Sequence, residues 1–147
     1  EGHAAKVYFN ALFGKSFSRE QDNAINAALN YGYAILLSAV NREILSLGYI
    51  TQLGLNHCNQ FNPYNLGSDL MEPLRGFVDA VVIKSIPTEF NRDVKLSLIE
   101  LLSEDVKIND TIQTFSAAIR IYCKSVFDAL RNQDASEIRF IEYVIDL

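Results

Sequence analysis

The chain has 147 residues, 49% hydrophobic and 21% charged, with a net charge of −5. That composition fits one soluble globular domain with a real core. Two cysteines, Cys58 and Cys123, far apart and outside any Cys-x-x-Cys pair, give little support to a disulfide framework or zinc knuckle and fit a reducing, cytoplasmic setting.

The acidity is uneven: residues 1–84 hold six Lys/Arg against seven Asp/Glu, and residues 85–147 hold seven against eleven. An acidic domain is a poor default binder of nucleic acid, because that affinity comes largely from basic side chains displacing counterions from phosphates. No apolar h-region follows the charged, Ala-rich start, so nothing resembles a signal peptide. The chain opens without Met or a capping residue, directly on an amphipathic pattern, which reads as a fragment of a longer protein.

Residues 1–13 carry Ala5, Tyr8 and Leu12 at helical spacing, and Glu1 lies on the same stripe. Taken alone, Glu1 is a fraying terminal residue. Gly14 to Asp22 is a loop. From Asn23, an N-cap residue, a long helix is predicted to about Leu47, with Gly48 as its stop. No residue between Ala24 and Asn41 is charged, yet Asn26, Asn30, Ser38 and Asn41 argue against a membrane span. A helix apolar nearly all round but dotted with amides is the central helix of a bundle, with Gly32 and neighbouring alanines admitting close neighbours.

Tyr49 to Gly67 is predicted as loop. A third helix is expected from Asp69 to Ile86, bent by Pro73 and closed by Pro87, with Phe77, Val81 and Ile86 on its buried side. Asn91 to about Leu102 and Thr111 to Arg131 form two more, the latter with a stripe of Ile112, Phe115, Ile119, Tyr122, Val126 and Leu130. A short helix over Ser136–Ile145 should pack on it. With no strand alternation, repeat or low-complexity tract, the expectation is an all-α domain of about six helices around a long central one.

The chemistry concentrates between Gly54 and Arg75. An Asn- and Gly-rich loop presents His57, and a helix then opens with Asp69 and Glu72, three apart and therefore on one face. One imidazole and one or two carboxylates make an incomplete divalent-metal site, which calls for a further acid. Each residue has a plainer reading. His57 can be a surface-loop histidine, and Asp69 a first-turn acid favoured by the helix dipole. Tyr31 and Tyr33 can be core tyrosines. Glu72 is harder to dismiss, since Arg75 at i+3 can pair with it or with a phosphate. A zinc site of His57, Cys58 and Cys123 is disfavoured, because adjacent residues rarely point at one ion. His3 is assigned nothing.

Four ordered blocks then stand out: Glu-Gly-His-Ala-Ala-Lys-Val-Tyr-Phe-Asn-Ala-Leu-Phe-Gly from Glu1, Asn-Ala-Ala-Leu-Asn-Tyr-Gly-Tyr-Ala-Ile-Leu-Leu-Ser-Ala-Val from Asn26, Leu-Gly-Leu-Asn-His from Leu53, and Ser-Asp-Leu-Met-Glu-Pro-Leu-Arg from Ser68. Together they resemble the CRISPR-associated DNA endonuclease and integrase, the catalytic subunit of CRISPR spacer acquisition. The likeness covers roughly residues 1–86. It implies that Glu1, His57 and Glu72 are catalytic and bind Mn2+ or Mg2+, with Asp69 beside them. It also implies attack of a DNA 3′-hydroxyl on a repeat phosphodiester, with water replacing the hydroxyl in the nuclease reaction.

Lys6, Tyr31, Tyr33 and Arg75 become candidate DNA contacts. Implied partners are protospacer and CRISPR-repeat DNA, a second copy of the full-length protein and a small companion adaptation subunit, in the prokaryotic cytoplasm and without a membrane. Family members carry an N-terminal β-rich dimerisation domain that this sequence lacks, so residues 1–147 are expected to be the C-terminal helical catalytic domain. Two departures are visible: many members have Asp where Glu72 stands, and many have basic residues after the His, where this chain has Cys-Asn-Gln-Phe-Asn-Pro. The rival readings are a non-enzymatic helical interaction domain and an unrelated all-α metal-dependent phosphohydrolase, which usually needs more histidines than His3 and His57.

Overall fold

Asn23 starts the element on which the rest assembles. In the computed structural model, which describes residues 2–144, its side chain accepts a hydrogen bond from the Asn26 N–H at 2.9 Å and caps a helix. The predicted long helix is α2 (Ala24–Ser46), and α1 (Gly2–Phe13) precedes it. Ala28, Leu29, Leu36, Val40 and Ile44 of α2 are buried. A Cβ at Gly32 would press into Val78 and Leu98, so the missing side chain is what admits two further helices to this face. Gly48, at φ +85°, takes the left-handed turn that ends α2. The buried amide of Asn26 is satisfied by the Ser18 and Gln21 carbonyls, each at 2.8 Å. No helix among the described residues is long and apolar enough to cross a membrane.

The helix expected from Asp69 begins four residues earlier, as α3 (Asn65–Met71). Pro73 lacks an N–H, and a single 3-10 turn over Glu72–Leu74 separates α3 from α4 (Arg75–Ser85). Asp69 is therefore not a first-turn acid. Phe77, Val78 and Val82 form the buried side of α4, while Ile86 is exposed in a left-handed cap before Pro87. The Asn91 side chain caps α5 (Arg92–Glu100), accepting from the Asp93 and Val94 N–H groups at 3.1 Å each.

The chain is predominantly helical, with one correction to the all-α expectation. β1 (Asp105–Ile108) and β2 (Thr111–Thr114) form a hairpin, and β3 (Glu142–Tyr143) adds to the other edge of β1, giving an antiparallel sheet ordered β2-β1-β3. Asn109 and Asp110 both have positive φ, 51° and 59°, as a two-residue hairpin turn of the twisted kind requires. Val106 and Ile108 point into the core. Thr111 thus begins a strand, and α6 (Phe115–Asn132) starts only after Thr114. Phe115, Ile119, Tyr122 and Val126 are buried as the stripe predicts, but Ile112 is 61% and Leu130 49% exposed. The segment predicted as a last helix is a 3-10 turn (Ala135–Glu137) followed by β3. It does pack on α6, through the Arg139 N–H donating to Ser125 Oγ at 2.9 Å.

Candidate active-site cleft

The loop between α2 and α3 has little regular structure and is fastened by side chains. Thr51 Oγ1 donates to the Pro63 carbonyl at 2.7 Å. Asn65 Nδ2 donates to the carbonyls of Gln52, Asn59 and Asn62 at 3.0, 2.8 and 3.2 Å. Asp69, one turn further along α3, closes the loop's far end. Its carboxylate accepts from the N–H groups of Leu55 at 2.5 Å, Asn56 at 3.0 Å and His57 at 3.1 Å. His57 Nδ1 lies 2.5 Å from Asp69 Oδ1. Burial pushes the Asp69 carboxyl upward, but the hydrogen bonds from Asn56, the His57 side chain and the His57 and Leu55 N–H groups outweigh it and hold the group below the usual carboxylate range. An ionised carboxylate can only accept, so Nδ1 carries the hydrogen and Nε2 is left for another partner. Gly54 permits this: a Cβ there would press on the His57 carbonyl and Asp69 Oδ2.

His57 opens on a cleft of about 650 Å³ that Glu72, Arg75, Tyr8, Tyr33 and Asp79 also line. Glu72, itself exposed, enters it from the 3-10 turn whose last residue, Leu74, is buried in the core. Asp79 lies at its floor, 4% exposed, accepting from Tyr8 at 2.7 Å and from Tyr33 at 2.5 Å. Burial first, and the bond to Asp79 second, push both tyrosine hydroxyls well above their ordinary range. The Arg75 guanidinium sits 5.6 Å from the centre of the Tyr33 ring, and its Nε is buried without a hydrogen-bond partner. Arg19 lies between the rings of Phe9 and Tyr33, at 5.4 and 5.7 Å, and donates to Asn26 and Asn30.

Of the candidate residues, His57, Glu72, Arg75 and Tyr33 share this cleft, and Asp69 stands behind His57. Glu1 lies outside the described residues. Lys6 lines a neighbouring hollow with Lys15 and Arg19. Tyr31 packs edge-on against Phe90 and faces a separate groove with Arg42 and Leu102. Cys58 is exposed and Cys123 buried in the core, so they do not meet His57 in one zinc site. Among the described residues no group of three His, Cys, Asp or Glu could hold a metal ion. His57 and Glu72 do offer the imidazole nitrogen and carboxylate oxygen that suit Mn2+, and the carboxylate suits Mg2+.

Asp79 and Arg19 are not among the sequence candidates, and Tyr8, expected on an apolar stripe, is 44% exposed with its hydroxyl on Asp79. Asp79 carried a usable signal: a charged residue among Phe77, Val78 and Val82, two turns beyond Glu72 on the same helical side.

The molecule is a helical domain with a carboxylate-held histidine and a glutamate over an aromatic, arginine-bearing cleft. Residues 1–95 match the family described as CRISPR associated protein Cas1, and the chain belongs to that family. The CRISPR-associated endonuclease Cas1 of Neisseria meningitidis serogroup C is 37% identical over 147 residues, covering 97% of this chain and 48% of its own length. CRISPR-associated endonuclease Cas1 1 of Francisella tularensis subsp. novicida is 37% identical over 117 residues, covering 71% of this chain and 36% of its own. The chain therefore spans about half the length, or less, of the curated relatives it matches. The structure of a casposase bound to integration product shares the fold, with a TM-score of 0.71 over 90% of this chain and 49% of that one, at 23% identity.

Proposed function

We propose that this chain is the catalytic part of a metal-dependent DNA endonuclease and integrase that inserts new spacers into a CRISPR array. The observation that carries the reading is the shared cleft of His57 and Glu72, with Nδ1 of the imidazole engaged by Asp69 and Nε2 left available. Glu1, His57 and Glu72 would hold Mn2+ or Mg2+. An ion held by these residues would supply Lewis acidity to a phosphate oxygen and to the charge developing on the attacking and leaving oxygens.

The chain's own residues do the rest. Asp69 fixes the tautomer and direction of the His57 ring. Arg75, resting on Tyr33, presents a fixed positive charge to a phosphate. Lys6 meets DNA in the hollow beside the cleft, and Tyr31 in the separate groove that it lines with Arg42. In integration a DNA 3′-hydroxyl attacks a repeat phosphodiester, forming a new P–O bond as the bond to the 3′-oxygen of the cut strand breaks and that oxygen leaves as a hydroxyl; in cleavage water takes the place of the attacking hydroxyl. Lys6, Lys15, Arg19 and Arg75 gather around α1 and the cleft, while the excess acid lies in residues 85–147. The net charge is thus compatible with DNA on this side. Protospacer and repeat DNA, a second copy of the full-length protein and a small companion subunit complete the assembly.

Manganese binding by titration calorimetry on this chain, with His57→Ala and Glu72→Ala alongside, tests the reading. Binding by the parent and loss in both variants supports it. Binding that persists in both variants refutes the site, and absence of binding in the parent, with residues N-terminal to Glu1 restored, refutes the metal dependence.

A further inference from the structure

Asp79 is a buried carboxylate for which the proposed chemistry has no use. Its two oxygens are divided between helices: Oδ1 accepts from Tyr33 of α2 at 2.5 Å and Oδ2 from Tyr8 of α1 at 2.7 Å. The two bonds are not equivalent. Tyr33 belongs to the central helix, which the core already holds in place. α1, in contrast, has no buried residue, and residues 2–8 are all exposed. Apolar packing of α1 comes from Phe9 and Phe13 in its C-terminal half, stacked around Phe17. The turns before Tyr8 have no comparable anchor among the described residues, and Tyr8, at mid-helix, makes the polar tie to α4. Gly2, Ala5 and Phe9 of that helix wall the cleft into which His57 and Glu72 open, and α1 begins one residue after Glu1.

We infer that Asp79 is a positioning residue: bonded to Tyr8, it holds α1, the helix that follows the proposed ligand Glu1 in the chain, against α4 and so sets the wall of the cleft beside His57 and Glu72. This rests on the metal-dependent reading above. Asp79 touches neither ion nor DNA; it acts through Tyr8. The arrangement gives a reason for a buried charge in this place, since two hydroxyl donors and low exposure make the carboxylate a strong acceptor. It also makes the N-terminal wall of the cleft depend on one hydrogen bond.

The test uses Tyr8→Phe, Asp79→Asn and the double variant, each measured two ways. Tyr8→Phe removes only a hydroxyl from an exposed helix and leaves the core intact, so a folding failure of Asp79→Asn does not obscure the result. Amide exchange in residues 6–8 of Tyr8→Phe, the first amides of α1 with acceptors inside the described helix, should accelerate on the order of five-fold, the equilibrium equivalent of one modest hydrogen bond. Exchange in α2 and α6 should not change. The Mn2+ dissociation constant should rise by about two-fold or more, and by no more than the factor seen in exchange. Adding Tyr8→Phe to Asp79→Asn should have little further effect on either quantity.

Unchanged exchange in α1 overturns the tether. Faster exchange with unchanged Mn2+ affinity overturns the positioning role and leaves a merely structural one. If the parent chain, with residues N-terminal to Glu1 restored, binds no Mn2+, the metal reading itself falls and takes the positioning role with it. The exchange data then still report on the tether separately.

Discussion

Removing the Asp69 carboxylate should unfasten His57 before it affects the rest of the molecule. In Asp69→Ala three backbone N–H groups, at Leu55, Asn56 and His57, lose their acceptor together with the imidazole Nδ1. A hydrogen bond to an ionised acceptor contributes roughly 1.5–3 kcal/mol. The Asp69 side chain is only 7% exposed, but Leu55 and Asn56 are exposed residues whose amides water can take over. About 1 kcal/mol for each of the three backbone donors is therefore the appropriate scale, or about 3 kcal/mol for the loop. Protection of these three amides should fall on the order of 100-fold. Hydrogen exchange read by NMR checks this directly. The loop can open without the core, so urea unfolding should lose less than the full amount. Asp69→Asn, with one acceptor oxygen and no charge, should fall between parent and Ala. Unchanged exchange at residues 55–57 in Asp69→Ala would refute the fastening.

Three other perturbations have defined outcomes. Gly32→Ala places a methyl against Val78 and Leu98, and should lower stability by about 1–3 kcal/mol in urea unfolding. Tyr8, Tyr33 and Tyr122 keep their protons in the fold above the ordinary value of 10.0, chiefly through burial. Their contribution is complete below pH 10 and is lost as pH rises toward the folded-state values, so thermal midpoints should decline steadily above pH 10. Burial, aided by Glu43, pushes the Cys123 thiol up to about 12, whereas Cys58 is exposed. An aromatic disulfide reagent should label one of the two cysteines quickly in the native protein and the second only on unfolding.

Periodicity in the sequence located the long helices because their buried faces span many turns. α2 was readable with both ends, since Asn23 and Gly48 act through local backbone chemistry. The sheet was not readable, because β1, β2 and β3 are four, four and two residues long, too short for alternation to stand out. Ile112 and Leu130 fit the α6 stripe by spacing alone; one lies in a strand and the other faces water. His57, Asp69 and Glu72 were identifiable as chemistry, with Asp69 already set apart from the His57 and Glu72 pair, but the backbone path that separates the two acids was not. That path depends on where α3 begins and on the turn imposed by Pro73, which turns Glu72 to the cleft while Asp69 faces the loop. Tyr8 and Asp79 are 71 positions apart, and no local pattern links them.

The fastening of the histidine loop from outside has a consequence for how this protein can vary. Its shape is dictated mainly by Thr51, Asn65 and Asp69, which bond to backbone atoms whatever side chains those atoms carry. Cys58, Gln60 and the 84% exposed Phe61 project outward from that frame. Substitutions there change what the loop shows to a partner without changing where His57 stands. The loop thus behaves as an exchangeable face on a fixed mount, free to change its outer side chains while His57 keeps its place.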